Sequence, residues 1–320
     1  MMLAVAAAIA CGIVLPHMLR LERASPIAGA GLWGCSLALR ALAGLFAALH
    51  VVFFLPATDT FGALTHWCLH VVVPVVGAHL GYSGHHLADA AIVLPGALVA
   101  VSLTSAAFGL ARATRAVRGL LARGAVSRGP SEMVVVGGSG VLVAAAGLAR
   151  PTLVVSAGAL TKLDDEELAA SLDHERGHIV RHHRYVLVAA ELLRVLGRPI
   201  PGSRRAYDEL AFHLERDADR WALGRQHDRL ALASAICKAA TMRTLRSAAF
   251  VALGGSGVTA RLDELMGAAA PVRRRRSILL NALAGVAAAL TIAVALAIPG
   301  TVQAGVQRLQ NVERVSHCPA

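Results

Sequence analysis

Four apolar stretches decide what this chain can fold into, because an uninterrupted run near twenty residues long buries its backbone polar groups only as a membrane-crossing helix or deep inside a core. They cover about 3–19, 38–56, 90–110 and 277–299. Between the third and fourth lies a segment of ordinary domain size, 112–276, with strand-like and helix-like patterning. Composition agrees with spans: the chain is 56% hydrophobic, 16% charged, and has mean hydropathy +0.60.

The net charge of +11 is carried almost wholly by arginine. Arg20 and Arg23 follow the first stretch, Arg112, Arg115, Arg118, Arg123 and Arg128 follow the third, and Arg273 to Arg276 precede the fourth. Positive flanks mark the cytoplasmic side, so the chain is expected to have both termini outside and 112–276 in the cytoplasm. Residues 57–89 contain no lysine or arginine and form an outer, histidine-rich loop, and a short outer tail occupies 300–320. Trp67 to Tyr82 is broken by Pro74 and reads as interfacial or re-entrant. His66 and His70, four apart, could bind a metal on a helix, but the pair reads rather as a wet amphipathic surface. Arg40, inside the second stretch, reads as an interfacial side chain that snorkels to the inner face. With only 4% aromatic residues and no basic helix interleaved with stacking rings, direct nucleic-acid binding is not expected.

Five cysteines form no C-x-x-C pair. No positive residue precedes the stretch that ends near Cys11 and a charged loop follows it, so the N-terminus reads as a retained anchor. Cys68 and Cys318 both fall on the expected outer side, and a disulfide between them would tether tail to loop.

Within 112–276, Met133–Val136, Val141–Ala146 and Thr152–Ser156 read as strands. Asp164 is a helix N-cap with Glu167 at the capping-box position, and the helix it starts is expected to run past His183. Further helices are expected over about Tyr185–Leu196, Arg204–Leu223 and Arg229–Leu245.

The capped helix carries His174-Glu175-Arg176-Gly177-His178, an H-E-x-x-H pattern. Histidines four apart share a helix face and can converge on one metal ion, while Glu175 can reach a water beside it as general base. His182 lies eight residues beyond His174, a rise of about 12 Å on a helix, too far to share that ion. A third ligand must come from elsewhere, best from Phe212–Asp219. Glu215 and Asp219 border the apolar stripe Leu214, Ala218, Trp221 and Ala222 on one side, and His213 and Asp217 border it on the other. Periodicity does not choose between the sides.

The run GLARPTLVVSAGALTKLDDEELAASLDHERGHIVRHH, followed by ERDAD and enclosed by four spans, resembles the BlaR/MecR group of integral-membrane zinc metallopeptidases. More distantly it is similar to the HtpX and CAAX-protease gluzincins. The resemblance implies an α-helical membrane protein with four transmembrane helices and a cytoplasmic α+β zincin-type peptidase domain. It implies zinc held by His174, His178 and Glu215, with Glu175 as general base and Asp219 as supporting carboxylate. It places Val141–Ala146 where such peptidases pair an edge strand with extended substrate, although a buried strand reads equally well. Arg261 falls near where relatives hold a basic residue for the oxyanion, the other reading being a surface arginine. The implied partners are the bilayer and a protein substrate such as a transcriptional repressor. The large penicillin-binding sensor domain of the founding members has no counterpart in 300–320, and no S-x-x-K motif occurs, so β-lactam sensing is not expected.

Overall fold

The computed structural model describes residues 2–19, 21, 24–53, helical positions between 97 and 119, and residues 125–128, 133–241, 257–267 and 278–296. Helix α1 spans Met2–Met18 and α2 spans Pro26–Phe53. Four strands follow: β1 (Ala125–Arg128), β2 (Val134–Val136), β3 (Val143–Ala146) and β4 (Thr152–Ser156). Then come α3 (Ala157–Lys162), α4 (Asp165–Val180), α5 (His183–Leu196), α6 (Ser203–Leu223), α7 (Arg229–Thr241), α8 (Val258–Leu265) and α9 (Ile278–Leu296).

Among the described residues, the helical stretches Pro26–Ala47 and Ile278–Leu296 are long and apolar enough to cross a membrane. The expected fourth span coincides with α9. The expected second span begins too late: α2 starts at Pro26, and its first half, carrying Leu32, Trp33 and Leu37, is buried against α5, α6 and α9 together with Leu187, Leu210, Leu214 and Leu280. Small residues make this close approach possible, and Gly29 is the extreme case, since a β-carbon there would overlap the ring of His213 on α6. Arg40 is likewise no snorkelling residue. It is buried, bonds Ser36 and His17, and donates from Nε to the carbonyl of Pro201 at 3.3 Å, which joins α1 and α2 to the α5–α6 turn. The outer loop 57–89, the tail 300–320 and the Cys68–Cys318 pair lie outside the described residues.

The sheet order is β1-β2-β4-β3, with β1/β2 and β3/β4 antiparallel and β2/β4 parallel. Strand β1, unexpected from the sequence, sits in a stretch whose arginines read as a membrane flank. Strand β3 occupies an edge, and α4 packs beside it. Val155, Leu163 and Ala235, with Leu168 and Leu172, make the core between sheet, α4 and α7.

Helix α4 begins as its residues dictate. Asp164 accepts from the Glu167 amide at 2.8 Å while Glu167 accepts from the Asp164 amide at 2.9 Å, closing the capping box. Glu167 also accepts from Ser234 and from Lys238, both at 2.5 Å, which pins the start of α4 to α7. The helix does not run past His183. It ends at Val180, His182 adopts a left-handed φ of 58°, and α5 starts at His183 in a new direction.

Candidate metal centre

Helices α4 and α6 cross closely because Gly177 on α4 offers no side chain where Trp221 of α6 packs, with ring and β-carbon atoms at 3.0–3.1 Å from a would-be β-carbon. That crossing sets Glu215 under the two histidines of α4. His174 Nε2 and His178 Nε2 are 3.2 Å apart, His174 Nε2 lies 3.6 Å from Glu215 Oε2, and His178 Nε2 lies 3.6 Å from Glu215 Oε1. Donors held at about 2.0–2.1 Å from one tetrahedral metal stand about 3.3 Å from each other, so this triangle has the size of one face of such a coordination shell. Among the described residues these are the three His/Cys/Asp/Glu side chains that converge tightly enough to share an ion.

The electrostatics fit the same conclusion. Glu215 and Asp219 are buried carboxylates, and Glu175 is half-buried beside them, while Arg261 is the guanidinium that answers them. Burial works against charge on Glu215, but Arg261 and the two histidines hold its carboxyl well below the usual range. Burial likewise opposes charge on Asp219, yet Arg261 and His174 hold it down to about 2. Two buried carboxylates stay ionised, and a divalent cation between His174, His178 and Glu215 would neutralise the excess. Without one, His174 takes the cationic role: burial lowers it, and the bonds to Asp219 and Glu215 outweigh that and lift it to about 10. His178, lowered to about 3 by burial, is the neutral imidazole that a metal requires.

Asp219 Oδ1 lies 2.9 Å from His174 Nδ1, on the ring edge away from the other donors, so it supports the ligand without being one. Glu175 turns from the donors towards β3 and accepts from the Ala145 amide at 2.8 Å. This bond fixes the strand's outer side, because the Ala145 N–H points away from β4. Among the described residues Val143–Ala146 is an edge strand of the sheet, while Val141 is buried ahead of it.

Residues 110–198 match the model of peptidase family M48. The match spans the four strands, α3, α4 and α5, carries both histidines and Glu175, and ends before α6. It marks this segment as similar to a metallopeptidase domain, and the geometry adds the third donor from beyond its end. No curated protein and no solved structure matches the chain.

Arg261 is neither a surface residue nor free. Its Nε and one terminal nitrogen grip Asp219, each at 2.7 Å, and the other terminal nitrogen reaches Glu215 at 2.7 Å. The structure thus gives it a clamp on two carboxylates, where the resemblance had offered an oxyanion contact. His213, an open choice in the sequence, faces α2 instead of the metal site. The sequence reading missed His183, which approaches His178 across the break at His182. The one signal for it was the doubled histidine after H-E-x-x-H.

Proposed function

We propose that this chain is a membrane-anchored zinc endopeptidase of the gluzincin type, acting from the cytoplasmic side on a protein substrate. The observation that carries the reading is the Nε2–Nε2–carboxylate triangle of His174, His178 and Glu215, with separations of 3.2, 3.6 and 3.6 Å, beside Glu175. A zinc ion held there supplies Lewis acidity to a scissile carbonyl and lowers the pKa of water towards about 7.

The remaining steps belong to side chains and backbone. Substrate in extended form pairs with the outer edge of β3 through the backbone groups of Val143 and the carbonyl of Ala145, the Ala145 amide being held by Glu175. Glu175 takes the proton of the attacking water and returns it to the leaving amine as the peptide C–N bond breaks. Because the same carboxylate accepts from the Ala145 amide, the base is positioned by the strand that binds the substrate. Asp219 and Arg261 fix His174 and Glu215 from behind.

Membrane anchoring is supported by the apolar helices Pro26–Ala47 and Ile278–Leu296 and by the arginines that flank the expected spans. Within this reading the substrate is a regulatory protein such as a transcriptional repressor, in keeping with the BlaR/MecR resemblance. The M48 match names a peptidase family and no sensor, and favours as a second reading an HtpX-like quality-control protease.

The test compares cells carrying wild-type chain with cells carrying Glu175→Gln for protein fragments found only with the wild type, and measures zinc in both purified chains. One zinc per chain in each, with fragments in the wild type alone, is the expected result. Identical fragment patterns under inducing and non-inducing conditions would overturn the peptidase reading.

A further inference from the structure

The two ligand histidines are supported differently. His174 meets Asp219 directly, whereas His178 Nδ1 meets no carboxylate among the described residues and lies 3.0 Å from Nδ1 of His183. The His183 ring stands edge-on to the His178 ring, with centroids 5.0 Å apart, and its Nε2 lies 3.2 Å from Asp217 Oδ2. His183 and Asp217 are both buried, and Arg181 Nη1 approaches the same Asp217 oxygen at 3.4 Å.

We infer that Asp217, acting through His183, is a positioning pair that holds His178 in the one tautomer able to bind the metal. The inference rests on the zinc-site reading above. Two imidazole nitrogens in contact share one proton, so one donates and the other accepts. If His178 Nε2 turns its lone pair to a cation, its proton sits on Nδ1, and Nδ1–H donates to His183 Nδ1. His183 must then carry its own proton on Nε2, which donates to the Asp217 carboxylate. Every donor in the chain finds an acceptor in this direction. The reverse direction puts the proton on His178 Nε2, facing the other donors, and leaves His183 Nε2 and Asp217 as opposed acceptors.

The break between α4 and α5 is what brings the two rings together. On an unbroken helix His183, five residues after His178, would lie about 140° round the axis and point elsewhere. The left-handed backbone at His182, φ 58°, swings the start of α5 so that the ring returns to His178. Helix α6 completes the arrangement from below, with Glu215 on the metal side, Asp219 behind His174 and Asp217 behind His183. A single helix thus supplies one ligand and the carboxylate that orients each of the other two.

The experiment uses the full chain in detergent, loaded with zinc, and reads affinity by competition with a chromophoric chelator and tautomers from ¹⁵N-histidine NMR. Asp217→Asn, nearly the same shape, and His183→Ala are each expected to weaken zinc about 10- to 100-fold, the range for partners that orient a ligand histidine. In the wild type, His178 is expected to be protonated on Nδ1, and His183 on Nε2 with Nδ1 bare. The inference is overturned if His183 carries its proton on Nδ1 in the zinc-loaded wild type. It is also overturned if Asp217→Asn holds zinc within twofold of a wild type that binds it, a result that leaves the peptidase reading intact. A wild type that binds no zinc overturns both. The tautomer measurement needs no variant, so a His183→Ala chain that fails to fold does not shield the inference.

Discussion

Gly29 of α2 lies directly against the imidazole of His213 on α6, with no room for a single added carbon. His213 is fully buried, its Nδ1 is 3.2 Å from Arg216, and Arg216 donates to the carbonyl of Ala24 at 3.1 Å. The helix that offers Glu215 on one side is thereby seated on α2 by its other side.

Gly29→Ala is therefore expected to destabilise the fold, because neither the ring nor the α2 backbone can retreat. Overpacking of this kind costs about 1–3 kcal/mol. Denaturant unfolding in detergent measures it, and a variant as stable as wild type would show that the two helices can separate.

Arg261→Ala removes the guanidinium from two buried carboxylates. Breaking a buried pair by deleting one partner costs about 3–5 kcal/mol. The metal-free protein should suffer most, since zinc would take over part of the neutralisation. Unfolding with and without zinc tests this: the stabilisation on adding zinc should be larger in the variant than in the wild type.

Glu175→Gln keeps a side chain that reaches Ala145 but cannot take a proton. Turnover should fall about 10²- to 10⁴-fold, the usual contribution of a general base. Zinc content should be unchanged, because Glu175 is not among the converging donors. Loss of zinc from this variant would contradict that assignment.

Acid should loosen the start of α4 through Glu167. Burial pushes its carboxyl up, but the bonds from Lys238 and Ser234 prevail and hold it below the ordinary 4.5. A carboxyl depressed on folding stabilises fully above its unfolded value, and that contribution disappears as pH falls through the folded one. Between about pH 5 and 3, Glu167→Gln should thus show a shallower loss of stability than the wild type, read from unfolding curves across the series.

What the sequence disclosed followed the range of the forces involved. The Asp164–Glu167 cap and the His174–His178 pairing are settled within one or two helical turns, and both stand in the structure as expected. The choice of Glu215 over His213 depends on which side of α6 meets α4 and which meets α2. No periodicity encodes that, because both sides border the same apolar stripe. The break at His182 was equally silent, since the residues on either side are acceptable helix formers and the contacts that accompany the turn, Arg181 and His183 to Asp217 of α6, are long-range. The early start of α2 hid behind Gly29, Gly31, Gly34 and Ser36, whose low hydropathy disguises a helix built for close packing.

The burial of Leu32, Trp33 and Leu37 against Leu210 and Leu214 bears on how this protein is to be handled at the bench. Cutting out 112–276 at its apparent boundaries would strip α6 of the surface it rests on and leave a greasy flank open to aggregation. A fragment that keeps α6 seated has to carry 24–44 and the start of α9 along with it, so the unit that folds around the candidate site is assembled from separated pieces of the chain.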